Sequence, residues 1–189
     1  MRSIYCFLLL FASLTNAVGQ EVEVPNSKSP VLLDGKFSEN EWQEARMVIV
    51  NDSLMLYIKQ DAEYLYWCLR NKNKNPSLIG VDFYLSHQAG LINLHASAKL
   101  GERTFNNGTY GEWFWWNNRD WTANVARFNS FEGQRFLKDE AKEFQLRKSR
   151  FALPSLRMMF QLEQPAKPPA FPLGSEPEDT QKWLILKLS

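Results

Sequence analysis

The sequence has almost no imbalance of charge. Its 22 lysines and arginines stand against 21 aspartates and glutamates, which gives a formal net charge of +1. Proteins that bind nucleic acids or anionic membrane surfaces generally depend on an excess of basic residues. The composition therefore favours neither of these partners.

Residues that build common catalytic sites are also scarce. The chain has two cysteines, Cys6 and Cys68, and two histidines, His87 and His95. It contains no Gly-x-Ser-x-Gly elbow and no His-Glu-x-x-His motif, the arrangements that expose a nucleophile or hold a catalytic zinc. We therefore expect no enzymatic activity. Cys68, inside the apolar run YLYWCLR, is predicted to be a buried small hydrophobe.

An apolar run long enough to span a bilayer is missing as well. The run from Ile4 to Leu14 follows a basic start and precedes small residues at Ala17 and Gly19, an arrangement typical of a signal peptide and too short for a membrane span. Cleavage is predicted after Ala17 or after Gly19, so that residues 1–19 form the leader. Cys6 lies too deep in the run to carry a lipid, and we expect a secreted or periplasmic protein that is not a lipoprotein.

What the sequence has instead is recurrent alternation of apolar and polar residues with period two, which is typical of half-buried β-strands. In SLMLYIK, for example, Leu54, Leu56 and Ile58 share one face. The predicted strands are SLMLYIK (53–59), YLYWCLR (64–70), GVDFYLS (80–86), INLHASAKL (92–100), WTANVARFN (121–129), KEFQLRK (142–148), LRMMFQL (156–162) and WLILKL (183–188).

Only one short helix has a recognisable start. In SENEWQEA, Ser38 is predicted to cap it, with Glu41 at the capping-box position. Many short strands with so little helix predict an all-β fold, an antiparallel β-sandwich of jelly-roll-like type with one short helix near the N-terminus. We see no repeat and no second domain, so residues 20–189 are predicted to form a single domain.

The beginning of this domain, SPVLLDGKFSENEWQEARMV, resembles that of the carbohydrate-binding module family 9-like domains, which belong to the DOMON-like group of β-sandwiches. The positions that match the family pattern are Leu32, Leu33, Asp34, Gly35, Glu41, Trp42 and Ala45. Later segments, including KEFQLRKSRFALPSL and PEDTQKWLILKL, follow in the family's order, so the resemblance spans nearly all of residues 30–188. It implies a β-sandwich that binds carbohydrate, whereas Trp42 itself is predicted to be a core residue on the short helix.

Tryptophan is concentrated in GEWFWWNNRDW, Gly111 to Trp121, which holds four of the seven in the chain. If this segment is extended, Trp113 and Trp115 point to one side while Phe114 and Trp116 point to the other, so a one-sided core cannot take all four rings. One pair is therefore expected to be exposed.

Exposed indoles suit sugars, because sugar C–H faces stack on aromatic rings while neighbouring polar side chains exchange hydrogen bonds with hydroxyl groups. The family resemblance implies a ligand gripped between two tryptophans. The alternative is that Trp113 or Trp115 packs inward and Trp121 starts a core strand. The predicted ligand-binding residues are Trp113, Trp115, Trp116, Asn117, Asn118, Arg119, Asp120 and Trp121.

Two other functions remain open at this stage. The aromatic patch could dock a partner protein in the cell envelope, since Trp and Arg also anchor protein interfaces. Some DOMON-like relatives hold haem through Met and His, but here both histidines are expected to lie at the surface and no cofactor is predicted. We also predict no metal site, because the aspartates form no Asp-x-Asp loop; those considered are Asp34, Asp52, Asp61 and Asp82.

Overall fold

The computed structural model describes residues 19–73, 80–87, 90–106, 108–115, 120–124, 128–129, 135–136, 140–151, 154–163 and 169–189. In chain order its elements are β1 (Glu21–Glu23), α1 (Glu39–Trp42), β2 (Arg46–Ile49), β3 (Leu54–Gln60), β4 (Tyr64–Asn71), β5 (Val81–His87), β6 (Gly90–Ala96), β7 (Leu100–Asn106), β8 (Thr109–Tyr110), β9 (Phe114–Trp115), β10 (Trp121–Ala123), β11 (Phe128–Asn129), β12 (Arg135–Phe136), β13 (Ala141–Arg147), a 3-10 turn (Lys148–Arg150), β14 (Ser155–Leu162), β15 (Ala170–Phe171), a second 3-10 turn (Thr180–Lys182) and β16 (Leu184–Lys187).

These strands build two principal sheets, and the predicted all-β fold class is confirmed. The larger sheet has nine strands in the order β1-β16-β14-β5-β6-β7-β8, with β15 added to β14 and β9 added to β7. The smaller sheet has five strands in the order β10-β13-β4-β3-β2, and β11 pairs with β12 separately. Pairing is antiparallel except between β1 and β16, which are parallel.

Aromatic rings from both sheets meet in the core between them. Trp67 on β4 stacks on Phe144 of β13 at 5.1 Å between ring centroids, and it packs edge-on against Phe83 of β5 at 5.3 Å. Leu54, Leu56 and Ile58 belong to the same cluster, so their predicted common face is the inner one. This core is what joins the sheets, because burial of apolar surface is the main favourable contribution to folding.

The outer face of the smaller sheet is covered by residues 31–45, which include α1. Trp42 is 1% exposed and packs with the buried Cys68, as predicted for both residues. Its Nε1 donates to Glu143 Oε1 at 3.3 Å, and Glu143 Oε2 accepts from the backbone N–H groups of Asp34 and Gly35, both at 3.0 Å. The Asp-Gly turn of the opening motif is therefore held down on β13 by a buried carboxylate.

The capping prediction for α1 is only partly right. Ser38 occupies the N-cap position, but its side chain makes no capping hydrogen bond. Glu41 accepts instead from the backbone N–H of Leu32 at 3.1 Å. The helix is only four residues long, so its position is set by the burial of Trp42 and not by capping.

The outer face of the larger sheet differs from the half-buried strands predicted. Along β6, Leu91, Asn93 and His95 point away from the core and yet are buried. The strand also ends at Ala96, before the predicted end, because residues 97–99 form a bend. The segment containing β8 and β9 runs back over β7 and contributes to this cover.

Residues 1–18, which make up nearly all of the predicted leader, lie outside the described residues, and the leader and its cleavage site stay predictions. Gly19 is described, and its backbone N–H donates to Gln181 O at 2.8 Å. Among the described residues, no helix combines the length and the hydrophobicity that crossing a membrane requires.

Candidate functional site

Strand pairing brings a row of residues from five strands onto the outer face of the larger sheet. Gln161 pairs with Asp82, Asp82 with His95, His95 with Gly101, and Gly101 with Trp115. Directly paired residues in a sheet point to the same face, so these side chains share one surface. The row joins the predicted aromatic cluster to a set of titratable groups.

Trp113 and Trp115 lie on this surface as a pair. Their rings stack at 5.0 Å between centroids with an interplanar angle of 24°, and each packs edge-on against His95 at 5.7 Å. Trp115 is 42% exposed and Trp113 is half-buried. The predicted geometry, with these two rings on one side, is thus what the structure shows.

A glycine makes room for the pair. A Cβ atom at Gly101 would lie 2.7 Å from Trp115 Cε3 and Cζ3 and 3.2 Å from Trp113 Cε3. Any side chain here would push the indoles off the sheet, because heavy atoms do not approach so closely without displacement. Gly101 therefore lets both rings rest edge-down on β7, over the imidazole of the paired His95.

Two cations extend the stack on either side. The guanidinium of Arg103 lies 3.8 Å from the ring centroid of Tyr110 and 4.3 Å from that of Trp113, and its Nε donates to Asn93 Oδ1 at 2.8 Å. Lys99 Nζ lies 5.6 Å from the Trp115 ring. Arg103 is held by Asn93 and by the rings of Tyr110 and Trp113, whereas Lys99 is exposed. Trp115, the ring nearer Lys99, is the more exposed of the two tryptophans.

Beneath the tryptophans, His95 is 8% exposed and does not lie at the surface as predicted. Its Nδ1 is 3.1 Å from Asp82 Oδ1 and 3.6 Å from Glu163 Oε1, and its Nε2 is 2.8 Å from Ser97 Oγ. The prediction failed because the cover supplied by Trp113 and Trp115 comes from a later segment of the chain.

Another glycine accommodates the second carboxylate. Glu163 follows the last residue of β14, and its backbone N–H donates to Gly80 O at 3.0 Å. A Cβ atom at Gly80 would overlap this side chain, at 1.7 Å from Oε2 and 2.4 Å from Cδ. Because position 80 has no side chain, the Glu163 carboxylate can lie across the strand toward Asp82 and His95.

The phenol groups on the same face remain neutral. Burial is the main cause of a raised pKa at both Tyr84 and Tyr110, which lie beside Arg103. Tyr84 Oη can donate to Gln161 Oε1 at 3.4 Å. These hydroxyls therefore act as hydrogen-bond donors or acceptors, not as charged groups.

The other predicted ligand-binding residues have different positions. Trp121 is 3% exposed, stacks at 6.4 Å on Phe144 and donates from Nε1 to Glu102 Oε2 at 2.9 Å. It begins the core strand β10, as the alternative interpretation had it, and offers no free ring face. Asp120 lies just before β10, 3.9 Å from Arg147 Nε. Residues Trp116, Asn117, Asn118 and Arg119 lie outside the described residues.

Sequence reasoning missed the groups that accompany the tryptophans. Lys99, Arg103 and Glu163 carried no motif, and Asp82 and His95 were weighed one at a time. The signal that could have linked Asp82 to His95 is the register of the GVDFYLS and INLHASAKL hairpin, in which these two polar positions face each other. Glu163 is more than 60 residues further along the chain, and no local pattern connects it to the pair.

Comparison with known proteins adds no assignment. No protein-family model matches the chain, and no curated protein or solved structure matches it significantly. The candidate site is therefore defined by its own geometry: a half-exposed pair of stacked tryptophans, two flanking cations and three side chains whose donor atoms could hold a metal ion, Asp82, His95 and Glu163.

Proposed function

We propose that the protein is an exported, non-catalytic carbohydrate-binding β-sandwich, and that sugar rings stack on the exposed face of Trp115. The observation that carries this proposal is the fixed orientation of a half-exposed indole, stacked against Trp113 and seated on Gly101. An aromatic ring held in place before binding loses little conformational entropy when a ligand docks on it.

The surroundings of Trp115 suit a polyhydroxylated ligand. An indole offers roughly 150 to 250 Å² of surface for stacking on the C–H face of a sugar. Lys99 and Glu112 are exposed nearby in the chain, and together they can donate to and accept from hydroxyl groups. Displacement of the flexible Lys99 side chain from the ring would open one full face of Trp115 to the sugar.

A test with a matched control compares Trp115→Ala with Phe114→Ala. Phe114 is the neighbouring residue and is equally exposed, at 47%, but it pairs with Glu102 and so points to the opposite side of β9. Binding of soluble cello-, xylo-, manno- and laminari-oligosaccharides would be measured by intrinsic tryptophan fluorescence and by calorimetry.

We expect Trp115→Ala to weaken binding by roughly tenfold or more, the effect of losing an interface hot spot, and Phe114→Ala to leave it nearly unchanged. Equal loss in both variants, or no binding of any of these glycans by the parent, would contradict the proposal. Release of shortened products during the incubation would contradict its non-catalytic part.

Docking of a partner protein is the second candidate, and one observation favours it. Phe114 and Trp115 are exposed on the two sides of β9, at 47% and 42%. Exposed aromatic side chains are enriched at protein interfaces, where they act as anchors. Under this alternative Phe114→Ala and Trp115→Ala both weaken the complex, whereas sugars leave the tryptophan fluorescence unchanged.

A further inference from the structure

We propose that Asp82, His95 and Glu163 form a mononuclear site for a divalent transition metal, with Zn²⁺ as the preferred ion. The ligand atoms are Asp82 Oδ1, His95 Nδ1 and Glu163 Oε1, contributed by β5, β6 and the residue after β14. The proposal does not depend on carbohydrate binding.

The spacing of the ligand atoms fits a tetrahedral ion. His95 Nδ1 lies 3.1 Å from Asp82 Oδ1 and 3.6 Å from Glu163 Oε1, and all three ligand atoms lie within 4.8 Å of one another. Bonds of about 2.0–2.2 Å to Zn²⁺ separate neighbouring tetrahedral ligands by roughly 3.3 Å. Small side-chain rotations are therefore enough to close the three ligands around one ion.

The imidazole is already oriented for coordination through Nδ1. Its other nitrogen, Nε2, is 2.8 Å from Ser97 Oγ. When Nε2 donates its proton to Ser97 Oγ, Nδ1 offers a lone pair to a metal ion, and the ion takes the place of the Nδ1 proton that otherwise bonds to Asp82 Oδ1. Second partners of this kind orient metal-bound histidines in general. Ser97 is thus a positioning residue that acts through His95.

Charge also favours a cation at this point. Asp82 and Glu163 both direct a carboxylate oxygen at one imidazole that is 8% exposed, so two anionic side chains converge on the same point. Arg103, the cation on the same face, directs its guanidinium to Asn93, Tyr110 and Trp113 instead. A divalent ion would balance the two carboxylates.

Among the described residues, the site is covered on the side of the tryptophans and exposed on the side of Glu163. Trp113 and Trp115 cover the imidazole, whereas the side chain of Glu163 is 46% exposed. An ion would therefore enter past Glu163, and its fourth position would be taken by water or by an oxygen atom of a ligand. The ligand set of two oxygen atoms and one imidazole nitrogen favours Zn²⁺ over Ca²⁺ or Mg²⁺, which prefer oxygen atoms alone.

Two histidines in the chain allow a direct spectroscopic test. In a tag-free protein carrying His87→Gln, His95 is the only imidazole left, and ZnCl₂ is titrated into it after treatment with a chelator. We expect one Zn²⁺ per chain by calorimetry and a shift of the Nδ1 resonance in the imidazole ¹⁵N spectrum, while Nε2 keeps its proton. CoCl₂ is expected to give the intense visible absorption of tetrahedral Co²⁺.

Variants then separate ligands from neighbours. Glu163→Gln removes one exposed ligand without opening a cavity. It is expected to weaken Zn²⁺ binding more than tenfold, because removal of a group that only hydrogen-bonds to a ligand already weakens metal binding by roughly that much. Ser97→Ala is expected to weaken it by roughly 10–100-fold by the same effect. Glu39→Gln, an exposed glutamate on α1, is the matched control and is expected to bind as the parent does.

The proposal fails if Zn²⁺ leaves the imidazole resonances unchanged, or if Glu163→Gln binds Zn²⁺ as tightly as Glu39→Gln. Calcium or magnesium binding stronger than zinc binding would also overturn the choice of ion. Sugar titrations of the same samples test the proposed function separately. If zinc binding is lost while glycan binding is intact, the metal site is rejected and the carbohydrate proposal is unaffected.

Discussion

Each outer face of the sandwich has tryptophan packed over a buried titratable side chain, and the two faces differ in how that side chain is used. On the smaller sheet Trp42 covers Glu143, and on the larger sheet Trp113 and Trp115 cover His95. Trp42 is 1% exposed, whereas Trp115 is 42% exposed. One cover is closed and the other is partly open.

The partners of the two buried groups show the same contrast. Glu143 accepts from two backbone N–H groups and from the Trp42 indole, all within the segment that covers it. Among the described residues, the hydrogen-bond and ion-pair partners of His95 are side-chain oxygen atoms, those of Asp82, Ser97 and Glu163. Backbone partners fix a loop, whereas side-chain partners can change rotamer around a bound ligand. The first face therefore has the contacts of a structural cover, and the second is the face on which both proposals rest.

The largest expected difference between the faces is in stability. Trp42→Ala removes a fully buried ring and leaves a cavity over Cys68 and Glu143, which typically costs about 3–5 kcal/mol. Trp115→Ala removes a half-exposed ring and is expected to cost less than about 1 kcal/mol. Chemical denaturation of both variants measures the free energy of unfolding. Equal losses would remove the distinction between a structural and a functional cover.

The second prediction concerns pH. Burial raises the pKa of Glu143 from its ordinary value of 4.5 to about 7 in the folded protein. A carboxyl group whose pKa is higher when folded contributes stability that is fully present below pH 4.5 and is lost as pH rises through about 7. The free energy of unfolding is therefore expected to fall between pH 5 and pH 8, by up to about 3 kcal/mol from this group.

Glu143→Gln sharpens this prediction, because an amide does not titrate. The variant loses one acceptor and is expected to be less stable than the parent at pH 5, but its stability should depend less on pH. Glu39→Gln is the control and should keep the slope of the parent. If Glu143→Gln shows the same slope from pH 5 to pH 8, the carboxyl group is not the source of the pH dependence.

Period-two alternation, together with β-propensity between turn residues, predicted the long strands β3 to β6, β13 and β14, since each is a local pattern, but it did not predict β7. The sides taken by Trp113 and Trp115 followed from the same rule. Position 95 shows the limit of the alternation rule. The polar residues Asn93, His95 and Ser97 have the pattern of a solvent-exposed face, but the segment 108–115 folds over them. Burial by a distant segment leaves no trace in local alternation.

The cluster of Asp82, His95 and Glu163 also depends on long-range pairing. Asp82 and His95 are partners only because β5 and β6 adopt one particular register, and Glu163 arrives from a strand that pairs on the other side of β5. Similarly, the opening motif predicted a buried Trp42 but not Glu143, whose place under the turn is set by β13. Sequence alone identified these elements but not their side-chain neighbours across strands.

The third prediction tests whether the open face depends on Gly101. Gly101→Ala places a methyl group 2.7 Å from Trp115 and 3.2 Å from Trp113, so both rings must tilt away from β7. We expect a cost in stability of about 1 kcal/mol, the lower end of the range for overpacking, because half-exposed rings can move toward solvent. We also expect a red shift of tryptophan emission and weaker glycan binding. Ser155→Ala, on an exposed position of β14, is the control. Unchanged emission would mean that the rings do not rest on position 101.

The smallest expected effect comes from Lys99, whose ammonium group lies over the Trp115 ring, 5.6 Å from its centroid. An exposed cation–π contact of this kind contributes about 0.5–1 kcal/mol, so Lys99→Ala should barely change the free energy of unfolding. It should, however, make Trp115 more accessible to acrylamide, measured as stronger quenching of tryptophan fluorescence, because the Lys99 side chain then no longer covers the ring. Lys36→Ala serves as a matched exposed lysine on the other face of the sandwich and should not change quenching. If acrylamide quenches tryptophan fluorescence equally in both lysine variants, Lys99 does not cover the ring. The two faces then differ only in how deeply their tryptophans are buried.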